Sequence, residues 1–170
     1  MAQAGLKVLV LDQCSSVGQE SNKKAIGGIR ATHSDPAKIR LCLRSIEIFS
    51  TWKEIYGDDI EWYKGGYAFP AYREREEKIL KDLLATQKTY GLNINWLNKE
   101  QMLEVAPDLN PVDLLGGTFS PDDGSASPLL AAHAFYQQAL KRGAEFRFNE
   151  PVQEIILSGG RVAGVRTNHG

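Results

Sequence analysis

The sequence predicts an α/β chain of mixed α+β kind, with a partial nucleotide-binding sheet interleaved with part of a mixed-sheet lobe. Three observations lead there. Residues 7–11 (KVLVL) form a short apolar run rich in branched side chains, closed by Asp12 and followed by a small-residue loop that ends in Gly27-Gly28. Such a run suits a strand buried on both faces of a parallel sheet. Segments of helical and strand period then alternate to the end, and no polar linker divides them into separate beads.

Bulk properties exclude several classes. A length of 170 residues suits one domain or two small lobes with a real core, and 42% hydrophobic with 24% charged residues is ordinary for a globular chain. A net charge of −1 gives no electrostatic reason to expect nucleic acid or an anionic membrane as partner. Cys14 and Cys42 make neither a disulfide framework nor a metal-site spacing, so reduced thiols and a cytoplasmic setting are expected. His33, His133 and His169 are scattered without ligand spacing, and no metal is expected. No apolar run approaches the roughly 20 residues that span a bilayer.

The elements follow in order. Residues 1–5 read as a last helical turn ending at Gly5. Asp35 and Pro36 open a helix as N-cap and first helical residue, with apolar positions Ile39, Cys42, Leu43, Ile46, Phe49, Trp52 and Tyr56, and Gly57 stops it. Gly65-Gly66 leads a strand through Phe69, and a second helix covers 74–90 with Ile79, Leu80, Leu83 and Leu84 expected inward. Residues 94–97 form a short strand, and Asn98 with Gln101 has the pattern of a capping box for a helix ended by Pro107. Another strand covers 114–119. In the loop that follows, Asp122 and Asp123 read as turn formers, because the acid spacing is not that of a calcium loop. Ser127-Pro128 opens a third helix to about Arg142. Strands at 144–148, 152–157 and 161–167 close the chain, the last two as a hairpin around Ser158-Gly-Gly160.

Asp12 stands where an α/β nucleotide-binding sheet holds a ribose, and it could equally cap the next turn. The ordered set SNKKAIGGIR (21–30), SDP (34–36), LRSIE (43–47), GYAF (66–69), FSPDDG (119–124) with Pro128, and GRVAGVRT (160–167) resembles the FAD-dependent amine and amino-acid oxidoreductases of the D-amino-acid oxidase superfamily. The nearest branch is that of sarcosine oxidase β-type subunits, glycine oxidase and FAD-linked proline dehydrogenases. The likeness covers essentially the whole chain.

The resemblance implies FAD as cofactor and a small amine or amino acid as substrate, oxidised by hydride transfer to the flavin. It places Asp12 on the adenosine ribose with Gln13 beside it, Ser21 and Asn22 near the pyrophosphate, and Ala25, Ile26, Gly27 and Gly28 along the flavin ring. Lys23 or Lys24 would add a cation at the pyrophosphate or simply stay solvated. Val152 would pair with the adenine through its backbone, or be a plain core valine. Arg30 would face a substrate carboxylate, where a guanidinium suits bidentate binding, or sit in a structural salt bridge. No catalytic residue at the flavin ring is assigned.

On this reading residues 1–57 and 127–170 form a partial FAD-binding domain and 58–126 part of a substrate or cap domain. The G-x-G-x-x-G turn that should precede the acid by about 20 residues is not found, so a segment truncated at both ends is expected. The open edge of its first strand should then favour a homo-oligomer or a hetero-subunit assembly. Two rivals stay open: a nicotinamide-dependent dehydrogenase, disfavoured by the long insertion after Arg30, and a folded module without activity of its own, which is the expectation for the 170 residues in isolation.

Overall fold

The computed structural model describes all residues, Met1–Gly170. After a single 3-10 turn at Ala2–Ala4, the order is β1 (Leu9–Asp12), a second 3-10 turn (Asn22–Lys24), β2 (Gly28–Ile29), α1 (Pro36–Ser50), α2 (Trp52–Tyr56) and β3 (Tyr67–Ala71). Next come α3 (Glu74–Thr89), β4 (Asn95–Asn98), α4 (Lys99–Val105), β5 (Gly116–Ser120) and β6 (Gly124–Ser125). The chain closes with α5 (Pro128–Lys141), β7 (Glu145–Phe148), β8 (Val152–Ser158) and β9 (Arg161–Thr167). No helix is long and apolar enough to cross a membrane.

The chain forms two compact units, Met1–Ile26 with Pro128–Gly170, and Gly27–Ser127. In the first, β1 pairs in parallel with β7, from Leu9 opposite Glu145 to Asp12 opposite Phe148. Tyr136 of α5 packs edge-on against Phe146 (4.7 Å) and also meets Phe148 (5.9 Å), which fastens the helix to β7. Glu150, buried beyond β7, accepts a hydrogen bond from Thr167 Oγ1 at 2.9 Å. β8 and β9 form the expected hairpin, and its turn needs glycine: Gly159 and Gly160 have φ of 58° and 75°. One expectation fails here. β1 is not buried on both faces: Leu9 is 47% exposed and Val10, on the opposite face, 36%.

In the second unit β3, β5 and β4 make an antiparallel sheet in that order, and β2 pairs with β6. The core gathers Ala31, Ile39, Ile46, Leu92 and Ile94, with Cys42, Leu43, Leu84 and Tyr90 packed around them. Burial of each large side chain contributes about 1.5–3 kcal/mol. By packing, α1 therefore belongs with the residues that follow it, whereas the sequence pattern groups 1–57 with the first strand. Asp35 Oδ1 accepts from Lys38 N at 3.0 Å, so the expected cap of α1 is formed. The helix does not run unbroken to Gly57; it gives way at Thr51, whose hydroxyl bonds back to the Glu47 carbonyl at 2.8 Å.

The capping box of α4 forms in both directions, Gln101 N to Asn98 Oδ1 at 2.9 Å and Asn98 N to Gln101 Oε1 at 3.0 Å. On α3 the inward set is shifted. Ile79 is 49% exposed, while Gln87 is buried and donates from Nε2 to the His33 carbonyl at 3.2 Å. Residues 60–63 form no strand; Tyr63 makes one isolated bridge to Ser125.

Candidate functional site

The first unit holds Asp12, Gln13, Ser21 to Ile26 and Val152; the second holds Gly27, Gly28 and Arg30. In the first, Asp12 ends β1 and its Oδ1 accepts from Cys14 N at 2.8 Å, so the turn-capping role is real. A carboxylate has a second oxygen, and Asp12 is only partly buried, so capping leaves room for a ligand. Partial desolvation, then the charges of Asp12 and Glu20, push the Cys14 thiol above its usual range, which keeps it protonated beside the carboxylate.

The turn after β7 closes on the same place. Glu150 N donates to Asp12 O at 3.0 Å and Asn149 N to Cys14 O at 2.9 Å, which brings the start of β8 near the end of β1. Val152 opens β8 and is 46% exposed, so it is no core valine; with Leu9, Leu11, Val162 and Val165 it lines an apolar cleft of about 500 Å3.

The loop after β1 is anchored by Asn22, whose Nδ2 donates to Pro128 O at 2.8 Å at the start of α5. Gly18, at φ 74°, lies where an added Cβ would stand 3.0 Å from Ala132 and 3.1 Å from Asn22, so only glycine lets the loop approach α5. Ser21 and Gln13 are exposed, Lys23 reaches Gln19 Oε1 at 3.1 Å, and Lys24 pairs loosely with Glu20 at 3.7 Å. Exposed pairs of this kind add little stability, so both ammonium groups remain available to an anion. Ala25 and Ile26 are exposed.

In the second unit Gly27 O accepts from Ala126 N at 3.0 Å, and Gly28 pairs with Ser125. A Cβ on Gly28 would stand 2.3 Å from Tyr67 Oη, so the small residue is a packing requirement. Arg30 makes no structural salt bridge. Its Nη1 donates to the Thr32 carbonyl and to Thr32 Oγ1 (3.2 Å), and the guanidinium lies over Phe69 (5.3 Å) and Tyr67 (5.9 Å). It borders a cavity of about 270 Å3 whose walls include Thr32, Phe69, Leu83, Gln87 and Thr118. His33 also lines it; partial burial, then the charges of Arg30 and Lys38, hold the imidazole below its usual pKa and hence neutral at pH 7.

Asp123, read in the sequence as a turn former, follows the turn at 121–122 and does more besides: it is 1% exposed, and its Oδ1 accepts from Ala31 N at 3.0 Å. Its Oδ2 is buried with no hydrogen-bond partner. Desolvation raises its pKa, against the pull of the Ala31 N–H, the nearby Ser120 hydroxyl and Arg30. Asp122 behaves as expected at the surface, bound by Lys64 Nζ at 2.6 Å and Asn93 Nδ2 at 2.9 Å. No group of His, Cys, Asp or Glu is arranged to hold a metal ion.

An acid at the end of a parallel strand with a small-residue loop behind it follows the pattern by which α/β sheets hold nucleotide cofactors. The profile of the FAD-dependent oxidoreductases (DAO) matches residues 1–170, and the chain belongs to that family. The family membership identifies FAD as the cofactor and sets aside the nicotinamide reading.

Among curated proteins the chain is 27% identical over 142 residues to the bifunctional protein ThiO/ThiG of Nostoc sp. (strain PCC 7120), covering 81% of this chain and 21% of that protein. It is 26% identical over 138 residues to mitochondrial sarcosine dehydrogenase of Mus musculus, covering 74% and 15% respectively. Among solved structures, L-proline dehydrogenase from P. horikoshii superposes with a TM-score of 0.93 at 28% identity, over 99% of this chain and 44% of that one. Glycine oxidase from Bacillus cereus ATCC 14579 gives 0.80 at 26% identity, over 99% and 47%. The chain thus spans less than half of the length of each of these four relatives.

Proposed function

We propose that this chain belongs to an enzyme that oxidises a small secondary amine or amino acid of the sarcosine, glycine or proline type. The observation that carries the reading is Arg30, a guanidinium held over two aromatic rings at the mouth of a cavity with both polar and apolar walls. One edge is tied to Thr32, which leaves the other to bind a carboxylate in bidentate fashion. The rings beneath it are apolar and exclude water from one face, which strengthens the attraction.

The residues of the first unit fit FAD. Asp12 would accept from the adenosine ribose with the oxygen not used on Cys14, and the start of β8 at Val152 would border the adenine. Ser21 to Lys24 would lie near the pyrophosphate, with the two lysines as counter-charges, and Ala25 and Ile26 would lead on toward the ring. Bound FAD would supply the acceptor for a hydride leaving the carbon next to the substrate nitrogen. The neutral His33 adds no charge to compete with Arg30 for the carboxylate.

On this reading residues 1–26 and 128–170 would serve FAD, while Arg30 and the cavity beside it, in the unit Gly27–Ser127, would serve substrate, with α1 packed in that unit's core. Two free thiols, Cys14 and Cys42, fit a reducing, cytoplasmic setting. A relative from Rhizobium meliloti, named as one of the subunits of an opine oxidase, is 34% identical over 94 residues (54% of this chain, 25% of that protein). That likeness supports a hetero-subunit arrangement.

The test is a panel of sarcosine, glycine and L-proline offered to the yellow, FAD-bearing protein, with Arg30→Met beside the native form. Substrate-dependent bleaching of the flavin with a KM raised at least tenfold by Arg30→Met is expected. Equal KM values in the two forms would remove Arg30 from the substrate site.

A further inference from the structure

Asp123 joins the three pieces of chain that set the place of Arg30. It directly precedes β6, whose Gly124 pairs with Ile29 and Ser125 with Gly28, so its own turn faces the continuation of β2. Its side chain takes the next rung of that ladder, accepting from the amide of Ala31. Its backbone carbonyl accepts from Gly66 N at 2.8 Å, immediately before β3, which carries Tyr67 and Phe69. Arg30 is thus held on its Ile29 side by strand pairing and on its Ala31 side by a carboxylate, and the same residue ties down the strand beneath its guanidinium.

Forming a turn does not by itself require a buried acid. Removal of a carboxylate from water is costly, and leaving one oxygen unpartnered costs more, so an acid here must return something elsewhere. An asparagine would satisfy the Ala31 amide equally well without the charge. Arg30 lies near enough for its charge to favour the ionised form, although desolvation outweighs it and raises the carboxyl's pKa.

We propose that Asp123 is the positioning residue for Arg30: by holding the Ala31 amide and the start of β3 together, it fixes the guanidinium over Tyr67 and Phe69 at the cavity mouth. This rests on the reading of Arg30 as the carboxylate-binding group. Asp123 does not itself touch substrate, being buried, and acts only through the backbone and charge of its neighbours.

The test compares Asp123→Ala and Asp123→Asn, each alone and combined with Arg30→Met, in the FAD-bearing protein. L-proline and pyrrolidine, which differ by the carboxylate, are the two substrates. Asp123→Ala should raise KM for L-proline about tenfold with pyrrolidine and FAD content unchanged, Asp123→Asn should recover most of that loss, and neither should add to the effect of Arg30→Met. An equal effect on both substrates, or a full added effect in the Arg30→Met background, overturns the proposal.

Two measurements do not depend on turnover. Hydrogen exchange at the Ala31 amide of the native protein should be as slow as at the amides of β2; exchange at an unprotected rate overturns the proposal even if Asp123→Ala does not fold. The melting shifts of Asp123→Asn and Arg30→Met should be non-additive, and additive shifts overturn it too. Arg30→Met leaving the KM for L-proline unchanged would instead count against the substrate reading, with exchange and melting still deciding the role of Asp123.

Discussion

Asn22 donates from its side-chain amide to the carbonyl of Pro128 at 2.8 Å, across 106 positions of chain. That bond ties the loop after β1 to the first residue of α5, and the close approach of Gly18 to Ala132 lets it form. Asn22→Ala should cost about 1–2 kcal/mol in denaturant unfolding, since a part-buried carbonyl loses its donor. The same loop carries Ser21 to Lys24, so FAD affinity should fall with stability. A variant with native stability and native FAD content would show that the loop holds itself in place without this bond.

Gly28→Ala brings a methyl to within 2.3 Å of the Tyr67 hydroxyl, so the ring or β2 must move. Overpacking of this kind costs about 1–3 kcal/mol. Removing the hydroxyl leaves the ring carbon at 3.2 Å as the nearest atom, and Tyr67→Phe should therefore recover much of the loss. Thermal melting of the two single variants and the double variant reads this directly; a double variant no better than Gly28→Ala would place the strain elsewhere.

Ile39 is fully buried among Ala31, Ile46, Leu92 and Ile94. Ile39→Ala should lower stability by about 2–5 kcal/mol, the range for a large-to-small change in a packed core. A loss under about 1 kcal/mol would mean that α1 is held by something other than this cluster.

The pKa of His33 is depressed in the folded state, chiefly by partial burial and then by Arg30 and Lys38, with Asp35 pulling the other way. The sign follows from linkage. The unfolded chain takes up the proton first as pH falls, so the contribution is full above the ordinary histidine value and is lost as pH drops through the lower folded value. His33→Gln should flatten that part of the stability profile below about pH 6.5. An unchanged slope would assign the acid sensitivity to the carboxylates instead.

Much of this fold is legible in the sequence because its signals are local. Asp35-Pro36, the Asn98–Gln101 box and the Gly159-Gly160 turn each depend on a few neighbouring residues, and each forms as expected. The break at Thr51 is hidden, because its hydroxyl bond to Glu47 leaves the apolar spacing of the helix intact. The β2–β6 pair involves two residues on each side, too short for any period to show. Asp123 misleads for a different reason. In sequence, Asp-Asp-Gly is a turn, and only the fold reveals that the second acid is buried against an amide 92 positions away. The cavity is half visible: Arg30 and the Phe69 of GYAF stand out in the sequence, whereas Gln87 and Thr118 come from α3 and β5 and carry no motif of their own.

The account depends most on Asp12 holding the cofactor, and Asp12→Asn isolates that role. Asparagine keeps an oxygen for the Cys14 amide, so the turn survives, while the second oxygen is replaced by an amide donor that, on the proposed reading, would meet the ribose hydroxyls. FAD titration of the native apoprotein and of Asp12→Asn, with melting measured alongside, is the decisive comparison. We expect FAD affinity to fall about tenfold or more with the melting temperature of the apoprotein unchanged. Equal FAD affinity in the two forms would contradict the assignment and leave Asp12 as a turn cap alone.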